Sequence, residues 1–569
     1  MTGQVQDAFA SQYISKASLE RQRLIESLSS ARQWQDRLLA GLLNQNSDTD
    51  FGRKHGFSRI RNLADFRHAV PIGDYGTMRP WIERSAGGEK RVLSADDPVV
   101  FFKTSGSTGI NKVIPVTPSF MRTSFFPFYY AAIGNLFEHF PELGARSDAT
   151  LNLRYDAAGA AGTTAAGHPH LGASQVDFGR MFGELTATEP GSRAPWAALP
   201  IDTRDMTELE KAYARLRSAV EYDIECVVGI NPAAVSALPY QLASWLPAII
   251  KDLFDGTIAG RAGYNANKRR ARQLERIAAY YSKALPCYIW PNIKVLYCWT
   301  AGLASLYVPR LRESFGHDVS VLPAPTAASE APVGLALDRH ATAGSLVTSA
   351  VVYEFIEADE DIRPDSSTVD FSKLEPGQEY HVIVSHIGGL YRYALGDIVR
   401  VIDTSHGVPR VEYAGRNTLS NRAGERLRES HIVQALHSAL ASTGMEICNV
   451  VCKVTAGDEV SGRRPSYALL IAPRRTPSLS EIGLLETRLD ALVGKVCSGY
   501  RDARAAGKLA ALSLHLTTPE AFFNEWQWRV GNGIRIAQAK DRLFVSDEDW
   551  ARILTNDFPA DSTSAQLAS

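Results

Sequence analysis

An α/β fold is what this sequence predicts. Apolar strand-like runs alternate with helix-period runs along the whole chain, the pattern left by sheets packed against helices. At 569 residues, 45% hydrophobic and 22% charged, the chain can bury a large core and is long enough for more than one domain. The third observation is local. Thr104-Ser105-Gly106-Ser107-Thr108-Gly109-Ile110-Asn111-Lys112 is a hydroxyl- and glycine-rich turn set between two strand-like runs.

The elements follow in order. Residues from about 17 to 46 place Leu19, Leu24, Ile25, Leu28, Trp34, Leu38, Leu39 and Leu42 at helical spacing, which predicts helix. Val99–Phe102 predicts a buried strand and Val113–Val116 a second extended run, so the glycine loop joins two strands. The aromatic run Phe125–Tyr130 reads as a core helix, with lining of an acyl pocket as the alternative. Residues 156–172 are low in complexity and read as a loop. Amphipathic helices are expected over 205–221 and 233–255, and a buried strand over 294–299. Val382–Val384 and Ile398–Ile402 bracket Gly388–Tyr393 in the manner of a twisted hairpin. A domain boundary falls near Gly415-Arg416-Asn417, dividing the chain into 1–415 and 416–569, with a frayed end from Phe558 to Ser569.

Composition excludes several function classes. Lys and Arg number 61 against 62 Asp and Glu, so there is no basic footprint for nucleic acid. The N-terminus has no charged, apolar and small-residue segments in series, and Pro239, Gln241, Ser244 and Pro247 interrupt the apolar region 233–250. A soluble protein with no membrane partner is expected. The six cysteines include no C-x-x-C pair and read as reduced thiols in a cytoplasm. His168-Pro169-His170 lacks a third ligand at helical spacing, and no Gly-x-Ser-x-Gly elbow is present.

The glycine loop carries the strongest chemical signal. Glycine lets backbone N–H groups approach phosphate oxygens, serine and threonine add hydroxyl donors, and Lys112 brings a compact positive charge. A Walker loop has four residues between its glycine and Gly-Lys-Ser/Thr. Here Gly106 and Gly109 are three apart, and Lys112 lies three further on.

Three more patterns follow the loop in order: Thr326-Ala327-Ala328-Ser329-Glu330, Tyr391-Arg392-Tyr393-Ala394-Leu395-Gly396-Asp397 and Gln538-Ala539-Lys540-Asp541-Arg542. Together with Thr49–Phe57, Val70-Pro71-Ile72, Arg79-Pro80-Trp81-Ile82 and Trp290-Pro291-Asn292-Ile293, they resemble the Gretchen Hagen family of auxin-responsive acyl-acid amido synthetases. That family is a branch of the firefly-luciferase-like adenylate-forming superfamily. The resemblance runs from about residue 35 to 545, and the spacing before Lys112 is similar to bacterial members or acyl-CoA ligases.

The resemblance implies a large N-terminal domain with ATP and acyl-acid sites and a smaller mobile α/β C-terminal domain. It implies a ligase that adenylates a small-molecule carboxylic acid, releases pyrophosphate, and passes the acyl group to an amine, an amino acid in that family. ATP and Mg²⁺ are the implied cofactors. An acyl-CoA ligase-like enzyme and an inactive nucleotide-binding relative are the alternatives.

Residue by residue, the resemblance puts Ser105, Gly106, Ser107, Thr108 and Gly109 on phosphate, with Lys112 closing the loop as a catalytic cation. Glu330 matches the Mg²⁺-holding glutamate, with Thr326, Ala327 and Ser329 in the same nucleotide motif and Thr326 standing where the family has tyrosine. Tyr393 is the candidate to stack on adenine, and Asp397 matches the acceptor for both ribose hydroxyls. Arg416 is placed at the ribose or the hinge, and Arg426 stands for a nucleotide-contacting lysine. Lys540 matches the mobile lysine of the closing motif, followed by Asp541 where the family has proline.

Overall fold

The computed structural model describes residues 3–104, 112–146, 148–153, 162–171, 181–183, 194–196, 199, 201–203, 205–281, 285–417, 419–458, 460 and 462–558. The fold is mixed α/β, and the chain gathers into two compact units built from separated stretches.

The first unit takes residues 1–147, 155–193 and 322–417. The helix expected over about 17–46 is present as two pieces, Gly3–Leu28 and Ala31–Asn46. The break is at serines. The hydroxyls of Ser27, Ser29 and Ser30 donate back to the carbonyls of Leu24, Glu26 and Ser27, an alternative to the helical ladder that leucine spacing does not register. The aromatic run enters the helix Phe126–His139 as core, with Phe126, Phe128 and Tyr130 all buried. That helix approaches the first one closely enough that a Cβ on Gly134 would meet the Ala17 carbonyl oxygen at 2.3 Å.

Val100–Thr104 and Lys112–Val116 pair antiparallel, with Phe102 opposite Ile114 and Thr104 opposite Lys112. The glycine loop therefore connects two paired strands, and Ser105, Gly106, Ser107, Thr108 and Gly109 themselves lie outside the described residues. The rest of this unit is a seven-stranded sheet in the order Thr326–Ala327, Pro332–Leu335, Gly344–Leu346, Val408–Arg416, Leu390–Ser405, Glu379–His386, Val352–Glu357. The expected hairpin is present, Glu379–His386 against Leu390–Ser405. Gly389 turns it at a φ of 106°, where a Cβ would also sit 2.8 Å from the Cβ of Leu93, so both backbone and space require glycine.

The second unit takes residues 148–154, 194–321 and 418–569. Parallel pairing joins Thr150–Asn152 to Cys226–Val228 and that strand to Val295–Cys298. The helix Glu208–Ala219 begins in a capping box between Thr207 and Glu210. Helix Pro232–Asp255 starts at the Asn231 cap and ends at Gly256 in the left-handed region. By length and composition it is apolar enough to cross a membrane, yet Val235, Leu238, Leu242, Ile249 and Leu253 are fully buried in this unit's core. Beyond residue 418 a four-stranded sheet runs Ser513–Leu516, Ser466–Pro473, Ile447–Thr455, Phe544–Val545. Trp526, Val530 and Ala539 from this later stretch pack in the same core as Leu238 and Leu242.

Candidate active site

The first unit brings together Lys112, Glu330, Tyr393, Asp397 and Arg416. Lys112 opens the second strand of the loop hairpin, and the neighbouring Val113 N–H donates to the Tyr75 hydroxyl at 3.0 Å. Glu330 sits at the tip of a tight hairpin in which Ala328 N–H donates to the Ala331 carbonyl at 3.0 Å. Ser329 and Glu330 are thus the two central turn residues, and Thr326 and Ala327 form the strand leading into the turn.

Three polar atoms meet there. Lys112 Nζ lies 3.6 Å from Glu330 Oε1 and donates to the Tyr393 hydroxyl at 3.4 Å. The Tyr393 hydroxyl in turn donates to Glu330 Oε1 at 3.4 Å. Tyr393 is fully buried; its hydroxyl joins this cluster, and Lys112 Nζ also lies over its ring, 5.9 Å from the centroid. Burial, reinforced by the charges of Glu330 and Asp74, pushes the phenol far above its ordinary range and keeps it protonated as a donor.

The Glu330 carboxyl is itself raised by burial. Lys112 pulls it back down, Asp397 pushes it up, and Arg416 lowers it slightly. Those last two residues face one another across the sheet as register partners, with Arg416 Nε 3.7 Å from Asp397 Oδ1. Burial works against the Arg416 charge, but Asp397 and Tyr413 hold it strongly cationic.

Among the described residues no three His, Cys, Asp or Glu side chains gather as a metal cage. Glu330 is the buried carboxylate of this group that could hold a hard cation, whose remaining ligands would come from phosphate and water. Asp397, partly exposed, is a two-oxygen acceptor of the kind hydroxyl donors need.

Sequence reasoning gave no role to Arg392, although it lies inside a quoted motif. Its backbone has a φ of 45°, and its buried guanidinium donates to Glu354 Oε1 at 3.0 Å and to the carbonyls of Val70 at 2.8 Å and Arg67 at 2.9 Å. Arg67 Nε meets the same Glu354 carboxylate at 2.7 Å. This network fixes the backbone on both sides of Tyr393: Gly73 N–H donates to the Arg392 carbonyl, and Ala394 N–H donates to the Gly73 carbonyl. The available signal was Glu354, a charged residue flanked by Val352, Tyr353, Phe355 and Ile356, and an arginine between two core tyrosines.

The second unit holds Arg426 and Lys540. Arg426 follows Gly424 and Glu425 in a turn at a φ of 46°. Buried Glu425 accepts from the N–H groups of Arg422 at 2.7 Å and Ala423 at 2.6 Å and from the Tyr467 hydroxyl. Lys540 Nζ lies over the Trp299 ring, 4.3 Å from its centroid. The Asp541 carboxylate accepts from the Tyr307 hydroxyl at 2.7 Å and from Asn449 Nδ2 at 3.4 Å.

A model described as the GH3 family N-terminal domain matches residues 20–320, and one described as the GH3 family central domain matches 344–416. Among curated proteins, the probable indole-3-acetic acid-amido synthetase GH3.6 of Oryza sativa subsp. japonica is 26% identical over 248 residues, 41% of this chain and only 51% of that relative. Indole-3-acetic acid-amido synthetase GH3.3 of Arabidopsis thaliana is 21% identical over 544 residues, 90% of this chain and 89% of its own length. Among solved structures, AtGH3.15 acyl acid amido synthetase in complex with 2,4-DB superposes with a TM-score of 0.76 at 18% identity, covering 94% of this chain and 95% of that one. At that identity the superposition shows a shared fold.

Proposed function

This chain belongs to the GH3 family, and from that premise we propose that it is an ATP-dependent acyl-acid amido synthetase. A carboxylic acid attacks the α-phosphorus of ATP to give acyl-AMP and pyrophosphate, and an amine then attacks the acyl carbonyl to give an amide and AMP. The observation that carries this reading is the convergence of Lys112, Tyr393 and Glu330 within 3.6 Å, beside the Asp397–Arg416 pair.

In this reading no protein nucleophile is needed, so the residues act through charge and position. Lys112 offsets the negative charge that builds on the phosphates, aided by donors of the loop Ser105–Gly109. Glu330 holds Mg²⁺, which when bound neutralises phosphate charge. Tyr393 keeps the Glu330 carboxylate and Lys112 in register. Asp397 accepts the ribose hydroxyls, and Arg416 orients Asp397. Thr326, Ala327 and Ser329 line the nucleotide, Arg426 contacts it from residues 416–569, and Lys540 of the same segment supplies a second cation. Residues 1–415 carry the ATP and acid sites.

The substrates are an aromatic or hydrophobic acid and an amino acid, a choice supported by the relatives named for indole-3-acetic acid and the structure holding 2,4-DB. A cytoplasmic location agrees with six free thiols, five of them buried. The test is hydroxylamine trapping of the adenylate across a panel including indole-3-acetic acid, 2,4-DB and benzoic acid, with products from an amino-acid panel identified by mass. An acid-dependent hydroxamate and an amide are expected. A thioester formed with coenzyme A in place of an amide, or ATP binding with no pyrophosphate release, would overturn the assignment.

A further inference from the structure

Lys540 belongs to a segment whose main chain is held at nearly every residue. The Ile536 carbonyl accepts from Asn231 Nδ2 at 3.3 Å, Ala539 is fully buried, and the Lys540 carbonyl accepts from Arg529 Nη1 at 2.8 Å. Asp541 is then fastened by Tyr307 and Asn449. With the backbone so placed, the freedom left at residue 540 is that of its four-carbon side chain, and that chain ends over the Trp299 indole. Trp299 is equally well set. It follows the buried strand Val295–Cys298, and its backbone N–H donates to the Ile230 carbonyl at 3.1 Å.

Indole is the strongest aromatic partner for a cation, and a half-buried indole under an exposed ammonium restrains the charge without removing it from water. We propose that Trp299 is a positioning residue for Lys540, confining the ammonium so that it meets phosphate already oriented. The inference rests on the reading of Lys540 as a catalytic cation. It also explains how Asp541 is tolerated after the lysine: its charge is directed to Tyr307 and Asn449, while the indole sets where the ammonium lies.

The test compares Trp299→Tyr, Trp299→Phe and Trp299→Leu with Lys540→Ala and the Trp299→Leu/Lys540→Ala double variant. The readout is acid-dependent ATP–pyrophosphate exchange, driven by the acid giving most hydroxamate in the panel above. Thermal melts of each variant confirm folding. The expected result is a graded loss, smallest for tyrosine and phenylalanine and about three- to tenfold for leucine, with the KM for the acid unchanged. On the Lys540→Ala background the leucine substitution should cost nothing further. Full exchange in Trp299→Leu, or the same fold-loss with and without Lys540, overturns the proposal. If Lys540→Ala alone exchanges at the unmodified rate, the catalytic reading of Lys540 falls and this inference with it. If Lys540→Ala is impaired while Trp299→Leu is not, only the role of Trp299 falls.

Discussion

Lys112 Nζ and Glu330 Oε1 lie 3.6 Å apart, the one on a strand of the loop hairpin and the other at a turn of the large sheet, and Tyr393 bonds to both. A cation and a buried carboxylate bridged by a phenol make a small, preorganised electrostatic device, and its members should fail together.

Glu330→Gln keeps the size and removes the charge. Pyrophosphate exchange should fall by about 10²- to 10³-fold, the cost of losing one preorganised electrostatic group. Because burial already disfavours the Glu330 carboxylate, the thermal midpoint should not fall. Exchange within a few-fold of the unmodified protein would refute the assignment. Lys112→Ala should fall by a comparable factor, and the double variant by much less than the product.

Asp397→Ala should weaken exchange by about 10²-fold, chiefly through the KM for ATP, since a lost two-bond acceptor is a ground-state as well as a transition-state loss. Arg416→Ala, which acts through Asp397, should cost about tenfold. Steady-state kinetics with varied ATP decide it, and a larger effect for Arg416 than for Asp397 would reverse their roles.

Glu354→Ala strands the buried Arg392 guanidinium. Uncompensated buried charge of this kind destabilises by about 3–5 kcal/mol. Urea unfolding at neutral pH measures it, and a loss below about 1 kcal/mol would show that Arg392 finds other anchors. Exchange activity should drop as well, because Arg392 and Gly73 hold the backbone around Tyr393.

Thiol titration tests the burial pattern. Burial pushes Cys226 and Cys298 up to about 12, and Cys287, the half-buried one, is raised less by the same cause. In native protein at pH 8, Ellman's reagent should modify Cys287 slowly, faster as pH rises toward 9 and beyond because the thiolate is the reacting form. All six should react after denaturation, and Cys287→Ser should remove the native signal. Rapid native reaction of two or more thiols would contradict the packing.

The α/β class, the strand pair around the glycine loop and the hairpin closed by Gly389 were legible from hydrophobic period and glycine placement, because those signals are local. The helix read over about 17–46 is present but in two pieces, since leucine spacing continues through a break made by serine hydroxyls. Motif order identified Lys112, Glu330, Asp397 and Lys540 as candidates, yet it offered no distance between any two of them.

Sequence by itself determined which groups this protein has to work with: the glycine loop, a carboxylate and an aspartate in recognisable motifs, and a lysine near the end. Only tertiary structure decided that the Tyr393 hydroxyl meets Lys112 and Glu330, that Arg392 ties Glu354 to the Val70 carbonyl, and that Trp299 lies beneath Lys540. The reason is physical. Residue type and period are properties of neighbours in the chain, whereas ion pairs, burial and ring contacts arise between segments that only folding brings together.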